Sequence, residues 1–341
     1  MTFKDALRHQ ARSCTGLGSP FMGRLMTLFA DRLRPETAIA NRLFNWQGDL
    51  SPSGQSVPLR LAGALHATAL QGGPLRDVYP PHTVSDDALW SAVKETLIRD
   101  EAQLDRWLDS PPQTNEVRRS AVLIAAGRWL ADRYGLPLVL SELGASAGLN
   151  LFWDRYALDV GGQIFGDPVA TVRLAPDWQG PTPATSQPQV ADRRGIDLNP
   201  LDPNQPADAL RLRAYLWPDQ PERRALTDAA IALATPSVDR GDVASWLEQR
   251  LSQTRKGHVH LIYHTIAWQY FPQESQKRAT RAIESAGQKA TADEPLAWFG
   301  MESDGTPGSA GLTLRLWPGD LVFKMGRAGF HGQHVEWTPP D

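Results

Sequence analysis

Gly144-Ala145-Ser146-Ala147-Gly148 follows the apolar run Leu138 to Glu142 and precedes the helix-prone stretch Leu149 to Tyr156. Glycines where a strand turns into a helix let a ligand approach the backbone closely. A helix N-terminus beyond Gly148 would offer unpaired N–H groups to a carboxylate or phosphate. The same five residues spell G-x-S-x-G, the pattern of a nucleophile elbow in which Ser146 would attack an ester carbonyl. A plain structural turn is the third reading. Two acids follow where later strands end. Asp197, within Gly195 to Pro200, could accept hydrogen bonds from both hydroxyls of a ribose, or hold its own loop. Its distance along the chain from Glu142 exceeds the roughly 20 residues usual for such an acid, and a proline-rich insertion at 159–190 accounts for the excess. Asp242, within Arg240 to Trp246, could hold an adenine amino group with Val243 as its apolar neighbour, or cap the helix that follows.

A further cluster lies in His260 to Phe271, where Tyr263, His264 and Thr265 close an apolar strand. Histidine side chains titrate near neutrality, so His264 could serve as a general base for a substrate N–H or O–H, or simply be hydrogen-bonded. Tyr263, Trp268 and Tyr270 offer aromatic faces that stabilise cations, although Trp268 suits a core equally well. Asn115, Glu116 and His331 complete the candidates, on the substrate side.

The elements that must position these groups change character along the chain. Residues 1–135 read as helical: Phe21, Leu25, Leu28 and Phe29 share one face, and Ser85 starts a helix expected to run through Leu104 to a stop at Pro111-Pro112. A helix begun at Thr114 ends at Gly135. From residue 136 onward, strands alternate with helices: Leu138 to Glu142, a strand reaching Asp197, Ser237 to Arg240, His258 to His264 and Leu296 to Met301. Ala207 to Ala234, Val243 to Leu251 and Glu274 to Ala286 are helix-prone. The insertion at 159–190 reads as hairpin-bearing. Leu312 to Trp317, Leu321 to Met325 and His334 to Trp337 are strands too closely spaced for helical crossovers, so they pair antiparallel. The expected class is α/β, a mostly parallel sheet with antiparallel C-terminal strands in 136–341, preceded by the helical region 1–135.

Bulk properties exclude several functions. A chain of 341 residues can form two packed units or one enlarged α/β domain. A net charge of −3 provides no positive field for nucleic acid, and Arg118-Arg119, Arg193-Arg194 and Arg223-Arg224 read as solvated pairs. The one cysteine, Cys14, rules out an internal disulfide and a cysteine zinc site, and no metal is expected. No apolar run approaches the roughly 18 to 20 residues of a membrane span, and a charged N-terminus is unlike a signal peptide, so a cytoplasmic protein is expected. The expected partner is a small-molecule substrate; oligomeric state is not written in the sequence.

With these residues in view, the chain resembles a bacterial family catalogued as a domain of unknown function. The resemblance rests on Pro58 to His66, Gln113 to Val117, Glu142 to Tyr156, Arg193 to Asp202, Arg211 to Arg223, Tyr263 to Tyr270 and Gly329 to Gly332. Over about Leu136 to Trp337 it also resembles class I S-adenosylmethionine-dependent methyltransferases, with a Rossmann-like sheet. That resemblance implies S-adenosylmethionine as cofactor, with Glu142, Gly144, Ser146 and Gly148 as the first motif, Asp197 as the ribose acid and Asp242 as the adenine contact. Asn150, Leu198 and Val243 join this cofactor-facing set, while Tyr263 and His264 stand as catalytic candidates. No Asn/Asp-Pro-Pro-aromatic motif follows the fourth strand, which argues against methylation of nucleic-acid or glutamine amino groups. An α/β hydrolase would use Ser146, Asp242 and His264 or His331; against it, residues 1–137 carry no convincing strand and no oxyanion motif. A non-catalytic binding or scaffold protein is the remaining alternative, and the absence of G-x-G-x-x-G disfavours a dinucleotide oxidoreductase.

Overall fold

A computed structural model describes residues 1–52 and 54–340. The chain forms two compact units, one of residues 1–114 with 205–225, the other of residues 115–204 with 226–341. The division falls upstream of residue 135, and a later segment returns to the first unit.

The first unit is helical: α1 (Phe3–Gly16), α2 (Pro20–Arg32), α3 (Ala38–Phe44), α4 (Val57–Leu70), α5 (Asp86–Arg99) and α6 (Glu101–Leu108). Thr2 and Asp5 form a reciprocal capping box at the start of α1, and Ser19 with Pro20 starts α2. The single helix expected from Ser85 to Leu104 is two. Asp100 leaves helical geometry at φ −106°, ψ 22° and receives both Arg99 guanidinium bonds, so it ends α5 and precedes α6. Leu7, Leu25, Phe29, Leu43, Leu65 and Leu104 form the core, at 0% exposure.

The second unit opens with a short 3-10 turn (Val117–Arg119) and α7 (Ser120–Tyr134), which stops at Gly135 in the left-handed region. Then follow β1 (Leu138–Leu143), β2 (Ala157–Val160), β3 (Gln163–Phe165), β4 (Arg173–Leu174), β5 (Asp177–Gln179) and β6 (Val190–Asp197). Helix α8 (Pro206–Ala214) belongs to the first unit, and α9 (Pro221–Leu233) spans the division. The chain continues through β7 (Val238–Arg240), α10 (Val243–Arg250), β8 (Val259–Thr265), α11 (Gln273–Gly287), β9 (Leu296–Glu302), β10 (Ser309–Trp317), β11 (Leu321–Gly329) and β12 (His334–Trp337).

Nine strands form one sheet in the order β5-β12-β11-β10-β9-β8-β1-β6-β7. From β7 to β9 every neighbour is parallel, while β9 to β12 pair antiparallel. The result is a mixed α/β protein with a helical N-terminal region and a large, mostly parallel sheet. Helices α10 and α11 bury Ala244, Leu247, Ala279 and Ile283 in one cluster with Leu143, Ile196 and Ile262 of the sheet. Strands β2 and β3 form an antiparallel hairpin within the proline-rich stretch, with β4 added parallel to β2.

One expected element differs in kind. Leu149–Arg155 is a 3-10 segment broken at Phe152, rather than a regular helix. Arg193, bonded bidentate to Asp154, also donates to the Leu151 carbonyl and lies over the Phe152 ring, so tertiary contacts hold the irregular path. Among the described residues, no helix is long and apolar enough to cross a membrane.

Candidate functional site at the carboxyl ends of the parallel strands

Counted in chain order, the parallel strands lie third, second, first, fourth and fifth across the sheet. The connections reverse direction between β1 and β8, and open α/β sheets bind ligands outside the carboxyl ends at such a reversal. Glu142 lies at that point, paired in register with Gly195 of β6 and Tyr263 of β8. It is 2% exposed, and its Oε2 has no hydrogen-bond partner. Burial, then the charge of Asp197, push its carboxyl well above the usual carboxylate range, while Arg119 opposes the shift.

The loop after Glu142 is shaped by close packing. Gly144 and Gly148 have φ of 70° and 71°, and a Cβ on them would stand 2.6 Å from Ala267 Cβ and 2.8 Å from Val238 Cγ2. Ser146 is also left-handed, at φ 53°, and its buried Oγ has no partner. Across the reversal, Ile266 has φ 52°, a strained geometry for a β-branched residue. Strained backbone therefore flanks the β1/β8 junction on both sides, which is characteristic of functional loops.

The N–H groups expected to receive an anion are largely engaged. The Gly144 and Ala145 N–H groups donate to the Ile196 carbonyl, Ser146 N–H to Asp197 Oδ2 at 2.9 Å, and Leu149 N–H to Asn115 Oδ1 at 2.8 Å. The expected helix-end anion site is thus corrected: no regular helix forms, and Asn115 caps the segment. Asp197 joins the glycine loop to its own turn, its Oδ1 accepting from Asn199 N–H at 2.8 Å. Each oxygen keeps acceptor capacity beyond its one bond.

Several sequence candidates turn out to be braces. Asn150, 1% exposed, accepts from Ser120 Oγ, donates to the Glu116 carbonyl, and accepts on its own carbonyl from the Tyr263 hydroxyl at 3.0 Å. Tyr263 is completely buried, and burial, then Glu142, raises its phenol well above normal, so it is a core brace rather than an acid-base group. Glu116, 3% exposed, accepts from Arg118 in the 3-10 turn that precedes α7. Asp242 caps α10 through Ser245 N–H at 3.0 Å and binds Ser275 Oγ at 2.7 Å, while Val243 packs in the core. Both depart from the adenine assignment. Asp242→Ala should lower stability by about 1 kcal/mol, the usual cost of a lost cap, in urea denaturation while leaving nucleoside affinity unchanged. A matching loss of affinity would restore the adenine role. Leu198 is 57% exposed at the end of β6, and His331 lies half-buried in the β11–β12 turn.

His264 is 4% exposed, and Trp298 Nε1–H donates to its Nε2 at 3.0 Å. Indole is only a donor, so Nε2 accepts and the imidazole carries its proton on Nδ1, which donates to Glu302 Oε1 at 2.8 Å. With Nε2 engaged, His264 is not placed as the general base expected from its type. Asp242 is not its carboxylate partner either, so Ser146, Asp242 and His264 are not joined as a triad. Trp268 stacks on His264, with centroids 5.0 Å apart at 28°.

Two residues of this region carry roles that the sequence did not signal. Glu302 ends the apolar strand Leu296 to Glu302 as Glu142 ends the apolar run in β1, a repeated pattern that could have marked it. Arg119, expected among the solvated pairs, is 9% exposed and donates to the carbonyls of Phe330 and Thr265, both at 2.9 Å. Arg193 is half-buried and paired with Asp154. Among the described residues, no group of three or more His, Cys, Asp or Glu is placed to hold a metal ion.

A family model described as "Uncharacterized protein conserved in bacteria (DUF2332)" matches residues 4–337. No curated protein matches the chain.

Proposed function

Because the chain belongs to the DUF2332 family, whose description carries no activity, we propose its function from the site itself: S-adenosylmethionine-dependent methyl transfer to a small molecule. The observation that carries this reading is Glu142, a buried carboxyl with an unpartnered oxygen at the strand reversal. A group with those properties suits a ligand that brings its own positive charge and N–H donors, as the ammonium of S-adenosylmethionine does. Asp197, with lone pairs to spare beside the glycine loop, suits ribose hydroxyls. The parallel strand order agrees with a Rossmann-like sheet of the methyltransferase type. The adenine assignment of Asp242 and Val243 does not fit, so the base would need other neighbours, such as the exposed Leu198.

When bound, the cofactor would supply an electrophilic methyl group. The chain's part would be to align the acceptor and exclude water, which gives large rate effects without acid-base chemistry. That division of labour is compatible with engaged Tyr263 and His264. The test is calorimetric titration with S-adenosylmethionine and S-adenosylhomocysteine, with NAD as control. Saturable binding of the first two but not NAD is expected; absence of heat at millimolar ligand rejects the reading.

An esterase is the second reading, favoured by the left-handed Ser146 between a strand and a helical turn and by the His264–Glu302 pair. It requires His264 Nε2 to accept from Ser146 Oγ, where Trp298 now donates. A fluorophosphonate probe should therefore leave Ser146 unlabelled, and stoichiometric labelling abolished by Ser146→Ala would favour the esterase.

A further inference from the structure

The carboxyl end of β9 carries a second acid, Glu302, whose side chain is 20% exposed but whose two oxygens are bonded unequally. Glu302 Oε1 accepts three hydrogen bonds, from His264 Nδ1 at 2.8 Å, Ala267 N–H at 2.9 Å and Trp268 N–H at 3.1 Å. Its Oε2 is buried and accepts none. Trp298 Nε1–H donates to His264 Nε2, so it is the other ring nitrogen that meets Glu302 Oε1, and His264 does not reach Oε2. Burial opposes ionisation, yet the His264 contact and the two backbone N–H groups hold the carboxyl below its usual range, so Glu302 is an anion whose Oε2 keeps its acceptor capacity for a cation.

The surroundings suit a cation of organic type. Trp268 lies 5.3 Å from Trp298 and 5.7 Å from Phe271 between ring centroids, and all three are only partly buried. Indole faces attract cations through their quadrupole. The loop that bears Trp268 is held in place from two sides: Gln276 Nε2 donates to the carbonyls of Trp268 and Phe271, and Glu302 holds two of its N–H groups. Its first residue is the strained Ile266, and Ala267 packs against Gly144 of the cofactor loop proposed above. Beyond Glu302 the chain is exposed from Ser303 to Gly308, so the acid sits at the rim of the sheet rather than deep inside it.

We propose that Glu302 Oε2 and the Trp268-Trp298-Phe271 face form a subsite for an organic ammonium group that still bears an N–H, which makes an amine the substrate class of this protein. The substrate assignment rests on the methyltransferase reading; the cation subsite does not, because it forms without cofactor. A bound N–H donates to Oε2, the positive charge balances the carboxylate, and the carbon chain lies on the indoles; to become a methyl acceptor the ammonium passes that proton to Oε2, which frees the nitrogen lone pair.

Calorimetry of the protein without cofactor tests the subsite, using benzylammonium as probe with benzyl alcohol as its uncharged counterpart and benzyltrimethylammonium as a cation lacking N–H. Saturable benzylammonium binding is expected, at least about 10-fold tighter than either control, since a charge-assisted hydrogen bond is worth roughly 1.5 to 3 kcal/mol. Glu302→Gln keeps an acceptor for the three present bonds and removes the charge, and should weaken benzylammonium about 10-fold or more. Trp268→Phe, which leaves Glu302 intact, should weaken it less and keep the preference for the cation. Thermal unfolding of both variants separates lost binding from lost folding. Equal binding of benzyl alcohol, undiminished binding by a folded Glu302→Gln, or no binding by wild type would overturn the subsite. Failure with S-adenosylmethionine alone would leave the subsite standing and remove only the methyl-transfer reading.

Discussion

Glu142→Gln should make the ligand-free protein more stable at pH 8 than wild type, with an advantage that shrinks towards pH 5. An unfolded glutamate has a pKa of about 4.3, whereas burial and then Asp197 raise the folded value well above it. Between the two values the folded state holds a proton that the unfolded state has lost. Wild-type stability then falls by up to about 1.4 kcal/mol per pH unit from this group alone. The contribution is complete below the unfolded pKa, declines as pH rises towards the folded one, and is gone above it. Glutamine is neutral throughout and has no such slope. Urea denaturation at several pH values measures both curves, and parallel curves would show that Glu142 does not titrate in this window. The same variant should bind S-adenosylmethionine roughly 10- to 100-fold more weakly, because a hydrogen bond to a charged group contributes about 1.5 to 3 kcal/mol. Opposite signs for stability and affinity distinguish a ligand-receiving acid from a structural one, whose replacement would weaken both.

The sheet was legible because its strands are short apolar runs separated by helices. Leu138 to Glu142, Val259 to Thr265 and Leu296 to Glu302 each announce themselves by composition, and the closely spaced C-terminal strands allow only antiparallel pairing. The breaks within helical segments were harder to see. Asp100 ends α5 through its own side-chain bonds with Arg99, and Leu149–Arg155 stays irregular because Arg193, 42 residues beyond the Leu151 carbonyl it binds, grips it. Local pattern does not carry contacts of that range.

Residue type brought candidate residues together better than it assigned their bonds. Glu142, Ser146 and Asp197 do converge at the β1/β6 ends, where Asp197 holds the Ser146 N–H. Asp242 illustrates the opposite case: an acid at a strand end followed by a helix satisfies the pattern of a ligand contact and that of a cap equally, and only the bonds to Ser245 and Ser275 distinguish them. His264 has the side chain of a general base, but its reactivity depends on what occupies Nε2, and Trp298 lies 34 residues away in sequence. Arg119 was not legible because an arginine pair carries no sign of which member is buried.

Arg119→Met should destabilise the protein by about 3 to 5 kcal/mol, the range for removing one partner of a buried charged arrangement. Two carbonyls, those of Thr265 at the end of β8 and Phe330 in the β11–β12 turn, lose their shared donor. Glu142 loses the positive charge that favours its ionised form, so its proton should become harder to remove. The double variant Arg119→Met/Glu142→Gln separates the two effects. At pH 8 the glutamine should recover part of the loss, because the penalty from Glu142 disappears with its charge. Recovery should shrink as pH falls below the raised folded pKa of Glu142, leaving only the carbonyl defect. Coupling that grows with pH would make Arg119 the residue that sets when Glu142 can ionise, and hence when the site can receive a cation. Additive losses at every pH would reduce Arg119 to a tie between β8 and the β11–β12 turn.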